Sequence, residues 1–355
     1  MTTINTIHSL IRELEKVSPK LASLDLCSTI QDGQIEAERF EFANNGDEIA
    51  LVGRALEHLP APGAALRKMM TDLLSQQNFY GQLCEFAVYD WLRRNDAGFQ
   101  VQVPLTGSEV LNRNGTDLDG LFEGRDVYFD IKGFGFEAYV REKFRAKLSS
   151  MVNGGRILIE GARDNSVKDI EGAFRKLKGL AAELQQNGIA KIPELDWTLR
   201  ASTSPLTMEL GTADPYRTAE ENWYYPFKTS RQFHRTSAFL LVFAFSPRFN
   251  GLMSVDFDGS TGVFLRSLAR RAFLQTKGDA TPISNFDAAA DPTVTLDQAS
   301  QLLSGLLFLN FANDNAWLFL NPRAAHPLKK DRVPQLFDFM LPREMSIDDF
   351  FHDNY

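Results

Sequence analysis

A short segment, residues 115–133, constrains the fold more than any other part of the chain, because it has the pattern of a complete β-hairpin. In residues 127–132 (VYFDIK) apolar and polar side chains alternate. Strand side chains have a period of two, so this pattern predicts a strand that carries Asp130 and Lys132 on one face. The preceding letters EGRD, at residues 123–126, predict the turn of the hairpin.

The turn determines which residues of the two strands lie opposite each other. If residues 124–125 form a two-residue loop, the numbers of opposed residues add up to 249, so Asp119 lies opposite Asp130. By the same rule Asp117 lies opposite Lys132. Opposed residues of antiparallel strands have Cβ atoms about 4.5 to 5.5 Å apart. Two carboxylates at that distance repel each other unless a cation lies between them.

Such a pair of carboxylates suits a hard divalent cation, since all-oxygen ligation favours Mg²⁺ or Mn²⁺ over zinc. A bound divalent ion polarises a phosphoryl oxygen and lowers the pKa of a bound water, which are the two requirements of phosphodiester hydrolysis. Lys132 would then stabilise charge at the scissile phosphate or orient the attacking water. The alternative is a surface hairpin with scattered charges, in which Asp130 and Lys132 form a weak ion pair.

A predicted helix precedes the hairpin at residues 78–94, and the letters NDAG at residues 95–98 predict its end. Glu85 lies on this helix. Its neighbours three and four positions away are mostly uncharged: Gly81, Gln82, Val88 and Tyr89. The carboxylate of Glu85 therefore faces a partly apolar surface, where a buried charge needs a metal or a partner. The alternative is a partly exposed helical glutamate near the edge of a core.

Asp119, the turn and the triplet Asp130-Ile131-Lys132 resemble the PD-(D/E)xK (restriction endonuclease-like) nuclease superfamily, and the helical Glu that this resemblance implies maps best to Glu85. The core pattern of this family is a helix with a Glu, a strand with the first Asp, a strand with (D/E)xK, then a helix and a further strand. The resemblance covers residues 79–159, less than a quarter of the chain.

The resemblance implies a Mg²⁺-dependent nuclease, with Mn²⁺ as a substitute, whose catalytic residues are Glu85, Asp119, Asp130 and Lys132. The implied metal ligands are Asp119, Asp130, the backbone carbonyl of Ile131, and Glu85. The Pro of the family pattern is Leu118 here, which makes Asp117 a rival to Asp119.

A local surplus of positive charge follows the hairpin. Residues 138–178 contain ten Lys or Arg against five Asp or Glu, whereas the whole chain has a net charge of −8. If the family arrangement holds, four basic residues of a helix at 137–148 contact the phosphate backbone of a nucleic acid: Arg141, Lys143, Arg145 and Lys147. The alternative is a pair of solvated helix faces. The aromatic residues at 223–225 either stack on unpaired bases or, as we favour, pack in a core.

The pattern of elements predicts an α/β (α+β) fold, with a restriction-endonuclease-like mixed central sheet flanked by helices and with N- and C-terminal additions. We expect a mainly helical addition at residues 1–73, the nuclease-like core at 74–260, and a C-terminal addition of helices and strands at 261–355. Further expected helices lie at 64–74, 169–186 and 263–274. Expected strands lie at 99–103, 118–122, 156–159 and 238–245.

Composition excludes several classes of function. The acidic net charge argues against indiscriminate coating of a polyanion. Two cysteines cannot form a disulfide framework or a cysteine zinc site, which fits a reducing, cytoplasmic compartment. The N-terminus lacks the pattern of a secretory signal, and the longest apolar run, residues 238–245, is too short to cross a bilayer. The histidines have no metal-ligand spacing, and no phosphate-binding loop for a nucleoside triphosphate is present.

The sequence therefore favours a Mg²⁺-dependent endonuclease that acts on DNA, in restriction or antiviral defence, with a homodimer or a defence-complex partner left open. Two alternatives remain. One is a non-catalytic nucleic-acid-binding or assembly protein that has kept the nuclease-like core, and the other is a nuclease that acts on RNA.

Overall fold

A computed structural model describes residues 3–340 of the chain, except for residues 36, 60–62, 76–77, 135–137, 153–155, 162–164, 166, 203–214 and 248–260. The described residues form two compact units. Unit 1 comprises the described parts of Met1–Gly133, Pro226–Phe245 and Thr276–His352. Unit 2 comprises those of Phe134–Tyr225 and Ser246–Gln275.

The described residues contain nine strands, which form two sheets. They are β1 (Phe99–Leu105), β2 (Thr116–Phe122), β3 (Val127–Gly133), β4 (Arg156–Gly161), β5 (Ile189–Ile192), β6 (Trp197–Ser202), β7 (Ala238–Phe245), β8 (Gly305–Asn310) and β9 (Asn315–Leu320).

Fourteen α-helices lie in the same described part of the chain. They are α1 (Ile7–Val17), α2 (Pro19–Ala22), α3 (Leu26–Thr29), α4 (Ala37–Ala43), α5 (Gly46–His58), α6 (Gly63–Leu74), α7 (Phe79–Arg94), α8 (Ala138–Ser149), α9 (Val167–Ala173), α10 (Leu177–Asn187), α11 (Pro215–Asn222), α12 (Thr261–Leu274), α13 (Leu296–Leu302) and α14 (Pro334–Phe337).

Unit 1 is built around a six-stranded mixed sheet in the order β1-β2-β3-β7-β8-β9. Its pairs are antiparallel except β3 with β7 and β7 with β8, which are parallel. The apolar strand β7 lies in the middle and is buried along almost its whole length, as strands covered on both faces are. Helix α7 packs on β3 and β7, and α5 and α6 pack on α7. The predicted α+β class, with a mixed sheet flanked by helices, is confirmed.

Helix α7 is buried on nearly all sides, because eleven of its sixteen residues lie in the core. Its close approach to the sheet depends on Gly133, at the end of β3. A Cβ added at Gly133 would lie 2.8 Å from a ring carbon of Tyr80 on α7. The absence of a side chain at this position therefore allows α7 to lie against the strand that carries Asp130 and Lys132.

Unit 2 is formed by the two long connections between the parallel strands of unit 1. Parallel neighbours need a crossover, and here the chain between β3 and β7 and the chain between β7 and β8 supply the segments of unit 2. Its three-stranded antiparallel sheet has the order β4-β6-β5. Phe144 of α8 and Trp197 of β6 belong to its buried core. This division differs from the three consecutive segments expected from the sequence.

One expected strand lies in a different sheet. The nuclease pattern ends with a helix and a strand after the (D/E)xK strand, and residues 156–159 were the expected strand. They are part of β4, which pairs with β6 in unit 2, whereas the parallel neighbour of β3 is β7. The predicted strand is therefore present, but it belongs to the sheet of unit 2, because a local pattern identifies a strand and does not determine which sheet it joins. Among the described helices, none is long and apolar enough to span a bilayer.

Candidate active site

The hairpin of β2 and β3 has the register that the turn predicted. Gly120 pairs with Phe129 and Leu121 pairs with Tyr128, so the numbers of paired residues add up to 249. Gly120 makes this pairing possible, because a Cβ there would lie 2.0 Å from the Phe129 ring. The ladder does not continue to Asp119, which would be the next partner of Asp130.

At the point where the ladder stops, Asp119 contacts β3 through its side chain. Its Oδ2 accepts a hydrogen bond of 2.7 Å from the backbone N–H of Ile131. This bond fixes the carboxylate of β2 against β3, between the positions of Asp130 and Lys132. Asp119 is 9% exposed, so it lies at the boundary between the core and the solvent.

Asp130 is fully buried, with 0% of its surface exposed. The Nζ of Lys132 lies 2.6 Å from its Oδ2, which makes an ion pair. Apart from that contact, neither oxygen of this carboxylate has a hydrogen-bond donor among the described residues. Burial raises the pKa of Asp130 to about 8, because the unfavourable effects of desolvation and of the negative Asp119 exceed the opposing effect of Lys132.

Lys132 remains charged in this environment. Burial lowers the pKa of its amine, but the negative charges of Asp130 and Asp119 outweigh that effect and raise the pKa above its ordinary value. Of the two roles predicted for Lys132, a protonated amine fits stabilisation of negative charge.

Glu85 on α7 completes the group. Burial raises the pKa of its carboxyl well above the ordinary value, and the nearby Asp119 and Asp130 raise it further, whereas Lys132 and Gln82 lower it. The Nε2 of Gln82, one helical turn earlier, donates a hydrogen bond of 3.0 Å to Oε2 of Glu85. The structure thus brings together the four residues that the sequence singled out.

One further residue, Tyr89, supports Asp119, and no pattern in the sequence indicated this role. The hydroxyl of Tyr89 donates a hydrogen bond of 3.0 Å to the backbone carbonyl of Asp119. Burial raises the pKa of Tyr89 well above its ordinary value, as does the charge of Asp119, and the nearby Gln102 side chain opposes the rise. Tyr89 lies one helical turn after Glu85, on the same side of α7.

Gln102 has an unusual backbone conformation, with φ of 53° in the middle of β1. The ladder between β1 and β2 pairs Val101 with Gly120 and Val103 with Leu118, but not Gln102 with Asp119. A left-handed conformation costs about 1–3 kcal/mol for a residue other than glycine, and such strain clusters at functional sites. Both ladders of β2 are therefore interrupted at Asp119.

An open cleft of about 260 Å³ gives access to Glu85 and Asp119. One wall is the face of α6 that carries Ala65, Lys68, Met69 and Asp72. The rest is formed by Gln82 of α7, Gln102 of β1, and Thr116 and Asp117 of β2. Lys68 is exposed and is the single cation of this lining. The sequence did not indicate that α6, within the expected N-terminal addition, contributes to the site.

Asp117 lies in the cleft but away from β3. It is exposed, and in the ladder between β1 and β2 it pairs with Pro104. Asp119 is the residue that contacts β3, through the amide of Ile131. This geometry favours Asp119 over its rival Asp117 as the partner of Asp130.

The donor set fits a divalent cation, although no three or more His, Cys, Asp or Glu side chains of the described residues already have metal-holding geometry. Three carboxylates and one amine carry a formal charge of −2 when all are ionised, which one divalent ion would neutralise. The two oxygens of Asp130 are buried, and the amine of Lys132 is their one donor among the described residues, which leaves them the capacity to ligate a cation. Ile131, the fourth expected ligand through its carbonyl, lies between Asp130 and Lys132 on the same strand.

The basic residues predicted to contact nucleic acid lie on α8 of unit 2. Arg141 is only 3% exposed, donates to the Ile159 carbonyl at 3.0 Å and lies over the Trp197 ring, so its guanidinium is held inside unit 2 and does not face a phosphate. Arg145 is half-buried and Lys147 is exposed. The side chain of Lys143 lies outside the described residues.

Comparison of the chain with protein-family models, with curated proteins and with solved structures gives no significant match. The functional argument therefore rests on the residues of the candidate site and their geometry.

Proposed function

We propose that this chain is a Mg²⁺-dependent nuclease that hydrolyses DNA phosphodiester bonds, with Glu85, Asp119, Asp130 and Lys132 as its catalytic group. The observation that carries the proposal is the carboxylate of Asp130, which is fully buried, has the amine of Lys132 as its one donor among the described residues, and lies near a second carboxylate, that of Asp119. A buried arrangement of like charges destabilises a fold, so it requires a reason, and binding of a divalent cation provides one.

In this proposal Asp119 and Asp130 hold the cation, with the Ile131 carbonyl and Glu85 as further ligands. When bound, Mg²⁺ polarises a phosphoryl oxygen and lowers the pKa of a water. The amide of Ile131 holds Asp119 in place through the 2.7 Å hydrogen bond. The protonated Lys132 stabilises the negative charge that develops at the phosphate.

The raised pKa values of Glu85 and Asp130 make cation binding dependent on pH. With a pKa raised to about 8, the Asp130 carboxyl retains a proton near neutral pH in the absence of a cation, and the pKa of Glu85 is shifted in the same direction. Metal ligands must be deprotonated, so cation binding releases the proton of Asp130 and becomes tighter as pH rises toward about 8.

In this proposal a phosphodiester backbone enters the cleft beside the acidic group. The cleft is open to solvent, and its lining holds Lys68 of α6 together with four carboxylates: Asp72, Glu85, Asp117 and Asp119. The Lys68 ammonium would contact a phosphate and position the substrate without reading its sequence, and a bound cation would offset the repulsion between the carboxylates and the phosphates. The proposed role in restriction or antiviral defence rests on the resemblance to the nuclease superfamily.

The test is a cleavage assay with purified full-length protein on plasmid, linear duplex and single-stranded DNA and on structured RNA, each with Mg²⁺, Mn²⁺ or EDTA. The variants are Asp130→Asn and Lys132→Met, Asp117→Asn tests the rival carboxylate, and the control on unit 1 is Lys330→Ala. Metal-dependent cleavage that is lost in both site variants and kept in the Lys330 control would support the proposal.

Three outcomes change the conclusion. Cleavage that survives in Asp130→Asn would place the activity elsewhere or in a contaminant. Preferential cleavage of RNA would keep the chemistry and change the substrate. Absence of cleavage on every substrate, together with equal nucleic-acid binding by wild type and site variants, would favour the non-catalytic alternative.

A further inference from the structure

Helix α7 contacts the acidic group through two side chains, those of Gln82 and Tyr89, besides carrying Glu85. The Nε2 of Gln82 donates a hydrogen bond of 3.0 Å to Oε2 of Glu85. The hydroxyl of Tyr89 donates one of 3.0 Å to the backbone carbonyl of Asp119 on β2. Gln82 lies three positions before Glu85 and Tyr89 four positions after it, so the three side chains lie along one side of the helix.

Both contacts are enclosed by the core. Tyr89 is 0% exposed and Gln82 is 5% exposed. Water therefore has little access to either contact, and breaking one would leave a buried polar group without a partner. The Phe99 ring stacks on the Tyr89 ring with centroids 5.4 Å apart, which restricts the direction of the hydroxyl. The Tyr89 hydroxyl is thus held against one point of β2.

The bond from Tyr89 to Asp119 joins the two elements that carry Glu85 and Asp119. Both of these carboxylates line the cleft. Tyr89 and Glu85 are about 6 Å apart along the axis of α7, a rigid length of about one helical turn. A fixed contact between Tyr89 and β2 therefore determines how far Glu85 lies from Asp119. The Asp119 carboxylate is held separately by the amide of Ile131, so its carbonyl and its carboxylate each have a fixed partner.

We propose that Tyr89 and Gln82 are positioning residues: Tyr89 sets the distance between Glu85 and Asp119, and Gln82 sets the direction of the Glu85 carboxylate, so that the two acids face the same cation. The role in cation binding rests on the proposed function, because the acids are then ligands whose spacing must match one ion. The effect of Tyr89 on Asp119 is a property of the folded chain and can be measured without metal or substrate.

The first test measures Mn²⁺ binding by calorimetry in the full-length protein. Tyr89→Phe removes the hydroxyl and keeps the ring, and Gln82→Met removes the amide and keeps the length of the side chain. The control, Ser304→Ala, removes another buried hydroxyl of unit 1, which accepts from the Phe239 amide and donates to the His326 carbonyl. All three variants should have lower urea midpoints. The Kd for Mn²⁺ should rise about tenfold in the two α7 variants and stay unchanged in Ser304→Ala.

A double-mutant cycle shows whether Tyr89 acts through the spacing of the two acids. The same Tyr89→Phe change is made in a Glu85→Gln background, where one of the two ligands is already lost. Tyr89→Phe should then change the Kd by less than about threefold, because the distance between Glu85 and Asp119 no longer matters. An equal change in both backgrounds would contradict this role.

The second test needs no cation. Hydrogen exchange of the Ile131 amide, followed by NMR in EDTA, reports how firmly the Asp119 carboxylate is held. We expect exchange at least about tenfold faster in Tyr89→Phe than in Ser304→Ala, which accounts for the general loss of stability. Gln82→Met should exchange like the control, because Gln82 contacts the carboxylate of Glu85 and not Asp119.

The outcomes separate these roles from the proposed function. Exchange of Ile131 in Tyr89→Phe no faster than in Ser304→Ala would overturn the role of Tyr89, even if the chain cleaves DNA. Unchanged Mn²⁺ affinity in Gln82→Met would overturn that of Gln82. A wild type that neither binds Mn²⁺ nor cleaves any substrate would end the nuclease proposal, while faster exchange of Ile131 in Tyr89→Phe would still show that Tyr89 holds Asp119.

Discussion

Replacement of Asp130 by asparagine tests whether the acidic group destabilises the fold in the absence of a cation. Burial raises the pKa of Asp130 to about 8, whereas an aspartate in the unfolded chain titrates near about 3.9. Between these two values the folded protein retains a proton that the unfolded chain has released. The free energy of unfolding of the wild type therefore falls as pH rises through this range.

The size of the effect follows from the number of protons involved. One proton gives a slope of about 1.4 kcal/mol per pH unit, so the interval from pH 5 to pH 8 allows a loss of at most about 4 kcal/mol. Asparagine has nearly the same shape and does not titrate, so Asp130→Asn should lose less stability over this interval. We expect the variant to equal or exceed the wild type in stability at pH 8 without metal.

The assay is urea unfolding followed by tryptophan fluorescence at pH 5, 6.5 and 8 in EDTA. Asp117→Asn is the control, since it removes an exposed carboxylate of the same hairpin. Addition of Mn²⁺ at about 100 times its Kd should stabilise the wild type by about 2.7 kcal/mol and leave Asp130→Asn unchanged. Identical pH dependence of wild type and Asp130→Asn would refute the reasoning, because the buried carboxyl would then contribute nothing to it.

Three other predictions address the rest of unit 1. Asp90 is 1% exposed and accepts bonds from Arg54 and Arg94, so Asp90→Asn should lower the free energy of unfolding by about 2 kcal/mol, measured in urea. Lys68→Glu should weaken binding of a DNA duplex about tenfold and reduce the salt dependence of binding by about one charge, measured by fluorescence anisotropy, whereas Lys330→Glu should not. Burial lowers the pKa of His234, whose Nδ1 accepts hydrogen bonds from two backbone N–H groups. The contribution of His234 to the free energy of unfolding is therefore complete above about pH 6.5 and is lost as pH falls. His234→Asn should lose less stability than the wild type in urea titrations between pH 5 and 7.

The hairpin and the four site residues were predictable because they depend on local rules. Alternation of side chains set the faces of β3, and the turn at residues 123–126 set a register that the structure reproduces. Glu85 was identifiable from the uncharged helix face around it. These signals involve residues close together in the sequence, where the period of a helix or strand decides which side chains are neighbours.

The remaining features depend on contacts between distant parts of the chain. The partner of β3 is β7, more than a hundred residues later, and no periodicity in either strand specifies that pairing. Arg141 has the sequence context of a phosphate contact, yet its carbonyl partner Ile159 and the Trp197 ring place it in a core. The strain at Gln102 is likewise invisible in the letters FQVQV, because its position in the lining of the cleft depends on tertiary structure.

The strain at Gln102 and the buried carboxylate of Asp130 support the same conclusion for different physical reasons. One is a cost in backbone conformation and the other a cost in desolvation, and both lie within the group formed by α7, β1, β2 and β3. A chain selected for stability alone would place glycine at 102 and an uncharged residue at 130. Two independent costs at one site support the proposal that the geometry of Asp119 and Asp130 serves to bind a divalent cation.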